Sequence, residues 1–192
     1  LVLHRLLVYR EKYTRQRKIN MVIGSFFSEV GTELLRRTTA LDAEAAALAP
    51  ALRVRADWTE RRFREARRAA GEHVCRIGAG PDDLVSLKFF FCERRAFLLG
   101  LLGSPNLLEH ESFTELLWAV FHLADELAHR DDPGRISGTD RSHLENDLRR
   151  VHLLLVGQWL DYLQHLRHEY AHLFSLAVRL NPFDPEASVE VR

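Results

Sequence analysis

The sequence predicts an all-α domain, a single bundle of about five helices. Two stretches carry that reading. Leu84 to Leu102 (LVSLKFFFCERRAFLLGLL) is apolar on every side of a helical wheel, the pattern of a helix in the middle of a bundle or in a membrane. Lys88, Glu93, Arg94 and Arg95 are spread through it, and so many charges in a short window argue against a span. The expectation is therefore a buried central helix over 84–102. The second stretch is residues 19–35, where Ile19, Val22, Ile23, Phe26, Val30 and Leu34 recur at three- and four-residue steps on one face.

Totals set bounds on both. A chain of 192 residues with 46% hydrophobic content suits one domain with a substantial core. The formal net charge is zero, yet residues 1–37 hold eight Lys/Arg against three acids. Residues 53–76 hold eight Arg against four acids, and residues 105–150 hold five Arg against ten. A balanced total removes the simplest case for nucleic-acid binding, so no such partner is expected. Cys75 and Cys92 are the only cysteines and lack metal or disulfide spacing. They read as two small core hydrophobes of a reducing compartment.

Taken in order, Leu1 to Tyr9 is apolar but interrupted by His4 and Arg5, too short for a span or a signal peptide. It runs into Arg10, Lys12, Arg15, Arg17 and Lys18. An apolar run opening into Lys/Arg is the pattern of a transmembrane helix leaving on the cytoplasmic side. Each such cation adds about 1 kcal/mol of attraction to an anionic leaflet. With Leu rather than Met first, the chain reads as a piece of something longer, whose basic stretch would touch the cytoplasmic face of the inner membrane. An ordinary solvated helix start is the alternative, with the protein then simply cytoplasmic.

Within residues 19–35, Asn20, Gly24, Phe27 and Gly31 form a second line beside the apolar face. Two helix-interior glycines each cost about 1 kcal/mol against alanine, so this line is the expected place of close approach by another helix, within the domain or between copies. Thr38 to Pro50 reads as a connection with a short helix. Trp58 to about Val74 reads as a helix with Phe63, Ala66, Ala70 and Val74 inward and Arg61, Arg64 and Arg68 outward among acids, a solvated face. Gly78 to Pro81 breaks the chain, and Asp82 or Asp83 is placed to cap the central helix. A further helix is expected from Glu109 to about Arg130, with Phe113, Leu117, Val120, Ala124 and Leu127 on its core face. Asp131 to Thr139 (DDPGRISGT) is a loop. Asp140 or Ser142 starts the longest helix, which is read as unbroken to about Leu180. Asn181–Pro182 stops it. The bundle domain is thus expected over 19–182, with a loose tail over 183–192.

Three constellations carry possible chemistry. Glu126/His129 and Glu169/His172 are Glu-x-x-His pairs, the unit that di-iron bundles use twice together with two single glutamates. Glu29 or Glu33 and Glu93 are the available single acids, but the wheel puts Glu126 and His129 on the wet face, so no metal site is expected. Asp161, His165, His168 and His172 line one side of the last helix with clamp-like spacing but no inward third ligand. His152, among apolar positions, reads as a core histidine. The third constellation is Leu166-Arg167-His168-Glu169-Tyr170-Ala171-His172. It resembles the Arg-polar-x-x-x-His motif of HEPN-type helical ribonucleases. That resemblance implies a metal-independent ribonuclease, two copies of the motif meeting across a dimer, in which Arg167 stabilises phosphate charge, His172 moves protons and His168 modulates.

Met21 to Leu35 and Ser175 to Pro185 together are similar to an uncharacterised bacterial group of membrane-anchored all-α proteins, which implies a cytosolic bundle behind a basic junction. The expected role is accordingly a cytosolic interaction or regulatory domain of a membrane-anchored protein. It would work through helix faces such as Asn20–Gly24–Phe27–Gly31 on another protein or a second copy. Neither catalysis nor a cofactor is expected. The ribonuclease and a helical metal- or ligand-binding bundle are the rival readings.

Overall fold

In a computed structural model, residues 19–105, 107 and 110–190 are described. The basic run Arg10, Lys12, Arg15, Arg17 and Lys18 lies outside them. Seven helices occur among the described residues, more than the five expected. From residue 19 the chain is helical to residue 41, and we call this α1. It is α-helical to residue 26, makes a π turn over Phe27–Gly31, and is α-helical again over Thr32–Leu41. Helices α2 (Ala45–Leu52), α3 (Glu60–Glu72), α4 (Pro81–Leu102), α5 (Glu111–Ala128), α6 (Gly138–Glu169) and α7 (Ala171–Arg179) follow. One isolated antiparallel bridge, Asp42 to Ile77, is the sole extended pairing among the described residues.

The π turn follows from its side chains. Thr32 donates both its N–H and its hydroxyl (2.8 Å) to the Phe27 carbonyl, widening the turn by one residue. Consecutive Phe26 and Phe27 are both fully enclosed as a result. Phe26 meets Phe113 edge-on at 5.4 Å, and Phe27 stacks on Tyr162 at 4.9 Å. The periodic face assigned from the sequence is the buried one, with Ile19, Ile23, Phe26, Val30 and Leu34 in the core.

The centre of the bundle is α6, not the 84–102 helix. At 1.5 Å per residue its 32 residues run about 48 Å, and it packs against α1, α3, α5 and α7. It presents a different side to each neighbour along its length, so its composition looks polar while eleven of its residues are buried. Helix α4 packs mainly on α5. Leu84, Leu87, Phe90, Phe91, Leu98 and Leu101 face inward, whereas Phe89 is 68% and Leu99 47% exposed. Its all-round hydrophobicity thus marks a one-sided helix with apolar residues on its outer face. Cys92 is exposed there, while Cys75 is buried, so only one thiol is a core residue.

Ends depart from the sequence reading in physical detail. Pro81 occupies the first turn of α4, and Asp83 reaches back to accept the Gly80 N–H at 2.8 Å. Ser137 caps α6 by accepting the Asp140 N–H at 3.1 Å, upstream of the expected start. Val74 lies beyond the end of α3 and is exposed rather than inward. Helix α2 continues through Pro50 to Leu52. The segment after α7 is anchored. Buried Asn181 donates to the Leu52 carbonyl (2.9 Å) and accepts the Phe183 N–H (2.9 Å), and Phe183 packs on Trp159. The core therefore reaches at least Phe183, one residue into the expected tail.

Candidate functional site

The last long helix does not run to Leu180. Tyr170 leaves helical geometry (φ −142°, ψ 69°), and the chain restarts as α7 at Ala171. Its N–H still bonds Leu166 (2.8 Å) and its carbonyl accepts Phe174 (2.9 Å), so the break is a re-aimed turn with its hydrogen bonds kept. Phe174 enters the core, while Leu173 and Leu176 are left 42% and 39% exposed beside α1.

Between α1 and α7, floored by Tyr162 of α6, this leaves an apolar trough. One part, about 790 Å³, is lined by Asn20, Met21, Gly24, Phe97, His165, Tyr170 and Leu173. The other, about 380 Å³, continues past Ser28 and Leu173 to Trp159, Leu176 and Leu180. Met21 stands at one edge, 70% exposed. Ser25, Ser28 and Glu29 give α1 a polar rim. Among the described residues no cation pairs with the Glu29 carboxylate, whereas Glu33 is occupied by Arg36 (2.5 Å) and Arg37 (2.9 Å).

Asn20, Gly24 and Phe27 of the sequence-derived line pack on α6 within the chain and also border the trough. Asn20 Nδ2 is 3.3 Å from His165 Nδ1. A Cβ on Gly24 would lie 3.8 Å from Tyr162, so that glycine faces α6. Gly31 belongs to the π turn and faces the rings of Phe26 and Phe27 on its own helix. The open apolar surface is the neighbouring trough, which the wheel of residues 19–35 alone did not indicate because α7 supplies half of it.

The histidine stripe is divided. Arg67 of α3 grips Asp161 at 2.6 Å, and His168 Nε2 bonds Glu60 at 2.6 Å. Burial pushes the His165 pKa below its ordinary value. Arg167 lies in the last turn of α6 and His172 in the first turn of α7, on opposite sides of the Tyr170 break. The two Glu-x-x-His pairs are not brought together. His129 turns to the Asp125 carbonyl (2.8 Å), Glu126 pairs with Arg130 (2.7 Å), and Glu169 and His172 are exposed. Glu93 lies outward beside Arg94 at 3.1 Å.

A buried polar cluster was not foreseen. Asp42 accepts the Arg76 N–H (2.9 Å), the Glu44 N–H (3.1 Å) and His73 Nε2–H (2.6 Å), and the Cys75 thiol lies against it. An ionised carboxylate only accepts, so His73 must carry its proton on Nε2. Burial raises the Asp42 pKa, but the hydrogen bonds outweigh it and hold the carboxyl below the usual range. Burial and the adjacent carboxylate push the Cys75 thiol up to about 12. With its thiol protonated and its carboxylate fully engaged, the cluster fastens the 73–78 loop to the end of α1. His-x-Cys at 73–75 was the only local signal, and nothing in the sequence ties it to Asp42.

A family model described as "Uncharacterized protein MJ1433, C-terminal helical domain" matches residues 15–179. The chain is 43% identical over 189 residues to a Methanocaldococcus jannaschii protein described as "Uncharacterized protein MJ1433". That match covers 98% of this chain and 76% of the relative. The chain belongs to this family of helical domains. No solved structure matches it. The matched segment ends at Arg179, the last residue of α7, so the family's domain takes in both walls and the floor of the trough except Leu180. The relative is archaeal, and neither match supports the bacterial origin or the membrane anchoring that the resemblance implied. No helix among the described residues is long and apolar enough to cross a membrane.

Proposed function

We propose that this family member is a helical interaction domain whose α1–α7 trough receives an amphipathic helix of another protein. The observation that carries the reading is the trough itself, an elongated apolar surface left open by the re-aimed α7. A soluble domain leaves few such contiguous apolar surfaces uncovered without an interaction to explain them. A partner helix with apolar residues at i, i+3, i+4 and i+7 fills a groove of this kind. Residues 20–36 of α1 give a wall of about 24 Å, room for about four helical turns. Glu29 on the rim, which no cation of the described residues pairs with, favours an occupant with Lys or Arg along one edge. Attachment near an anionic membrane through Arg10 to Lys18 is a compatible part of this proposal and rests on the sequence pattern alone.

The test is photo-crosslinking in the source cells, with a photoreactive residue at position 173 and, as control, at position 64 on the outer face of α3. The reading expects one polypeptide captured from position 173, through a segment that is amphipathic as a helix, and none from position 64. Equal capture from both positions, or capture only of a second copy of this chain, would overturn it.

A further inference from the structure

A second cluster lies on the α5–α6 seam, about 22 Å along α6 from Tyr162. Helix α5 carries His122 and Glu126 one turn apart, and α6 carries His143 and Asp147 one turn apart. The two pairs face each other where these helices pack. Asp147 Oδ2 lies 3.5 Å from His122 Nε2 and 3.4 Å from His143 Nε2. The ligand atoms of His122, His143 and Asp147 all fall within 4.8 Å of one another. His143 Nε2 is also 3.8 Å from Glu126 Oε2.

These separations are wrong for hydrogen bonds. Among the described residues, the other imidazole–carboxylate pairs are His73–Asp42 and His168–Glu60, both at 2.6 Å, and His129–Asp125 at 3.6 Å, where the His129 Nδ1 is engaged by the Asp125 carbonyl instead. In the cluster, Asp147 Oδ2 is buried with no hydrogen-bond partner, although the side chain is only 19% exposed and both imidazoles are within reach. A buried carboxylate oxygen left without a donor is costly. Bonds of 2.0–2.2 Å to a tetrahedral zinc-like ion put neighbouring ligand atoms about 3.3–3.6 Å apart; both histidine–carboxylate separations fall in that range, and the two imidazole nitrogens lie within 4.8 Å of each other.

We propose that His122, His143 and Asp147 form a binding site for a first-row divalent transition metal such as Zn²⁺. Two neutral imidazoles and one carboxylate are a borderline N/O donor set, suited to such ions and poorly suited to Ca²⁺ or Mg²⁺. Three protein ligands leave at least one coordination position open to water. His122 and His143 are 53% and 51% exposed, so the open side faces solvent and an ion has a path in. Glu126 is the outer partner. Arg130 holds its carboxylate at 2.7 Å while its other guanidinium nitrogens are taken up by Asp140 at 2.9 and 2.6 Å. This fixes Glu126 beside His143, where it can accept from a metal-bound water. The site clamps the long helix to α5 and stands on different residues from the trough, so neither proposal depends on the other.

The experiment is titration of untagged protein with Co²⁺, followed by its visible ligand-field bands, and then displacement by Zn²⁺. Asp147→Asn and His143→Ala are compared with His129→Ala, which alters an exposed histidine of the same region outside the cluster, and circular dichroism checks each fold. One equivalent of Co²⁺ should bind with the intense bands of a four- or five-coordinate site, and Zn²⁺ should displace it. Each ligand variant should weaken Co²⁺ binding by about a hundredfold or more, since loss of an outer partner alone costs 10–100-fold, while His129→Ala leaves it unchanged. Octahedral aquo-like spectra, or equal binding by folded wild type, Asp147→Asn and His143→Ala, would overturn the proposal.

Discussion

His152 sits in the core with Nδ1 2.9 Å from the Thr38 hydroxyl, which itself donates to the Leu35 carbonyl at 3.2 Å. With that hydroxyl proton engaged, the imidazole donates from Nδ1. Burial pushes its pKa down to about 4 from the ordinary 6.5, with the Asp42 carboxylate acting weakly the other way and His73 adding to the fall. The fold therefore favours the neutral ring. Its contribution to stability is complete above pH 6.5, declines as pH falls, and is lost below about 4. At its full extent this linkage is worth about 3 kcal/mol. Urea unfolding at pH 7 and pH 4.5 should show the wild type losing stability over that interval, with His152→Leu losing clearly less. An identical pH dependence in both proteins would remove His152 from the account. Asp42, whose pKa is lowered, acts in the same direction only as pH falls below its ordinary 3.8.

At the scale of elements, the two glycines of α1 separate two demands that the sequence presented as one. A Cβ at Gly24 would meet Tyr162 at 3.8 Å, an ordinary contact. Gly24→Ala should therefore gain about 0.5–1 kcal/mol from helix propensity. At Gly31 a Cβ would fall 2.6 Å from Phe26 and 2.7 Å from Phe27, both rings being fixed in the core. Gly31→Ala should cost about 1–3 kcal/mol by overpacking. Chemical denaturation of the two variants measures the contrast, and equal effects would count against the π turn as the reason for Gly31.

The buried stripe of α1 and the core face of α5 were legible because each helix meets its core on one side, which periodicity reports directly. Periodicity failed for α6, which shares its circumference among four neighbours, and for α4, whose outer face keeps Phe89 and Leu99. The break at Tyr170 carries no Gly or Pro. It accompanies the burial of Phe174 in the core, a tertiary effect, and a contact of the Tyr170 ring with His165 of the preceding turn at 5.8 Å.

For the whole molecule, long-range pairing decides what the site is. Asn20, Gly24 and Phe27 share one face of one helix; they pack on α6 and border the open surface, whose opposite wall comes from α7. Glu126 was considered with His129 because they are near in sequence, yet the structure sets it next to His143 on another helix. Individual residues were thus visible, and their partners were not. The central claim is that the trough, rather than any other apolar face, receives the partner. The most direct measurement repeats the crosslinking with Leu173→Glu or Leu176→Glu, the photoreactive residue moved to position 21 and melting recorded in parallel. Both leucines are about 40% exposed, so melting should shift little. Capture from position 21 should be abolished in both variants while the fold persists. Undiminished capture by the folded variants would contradict that claim.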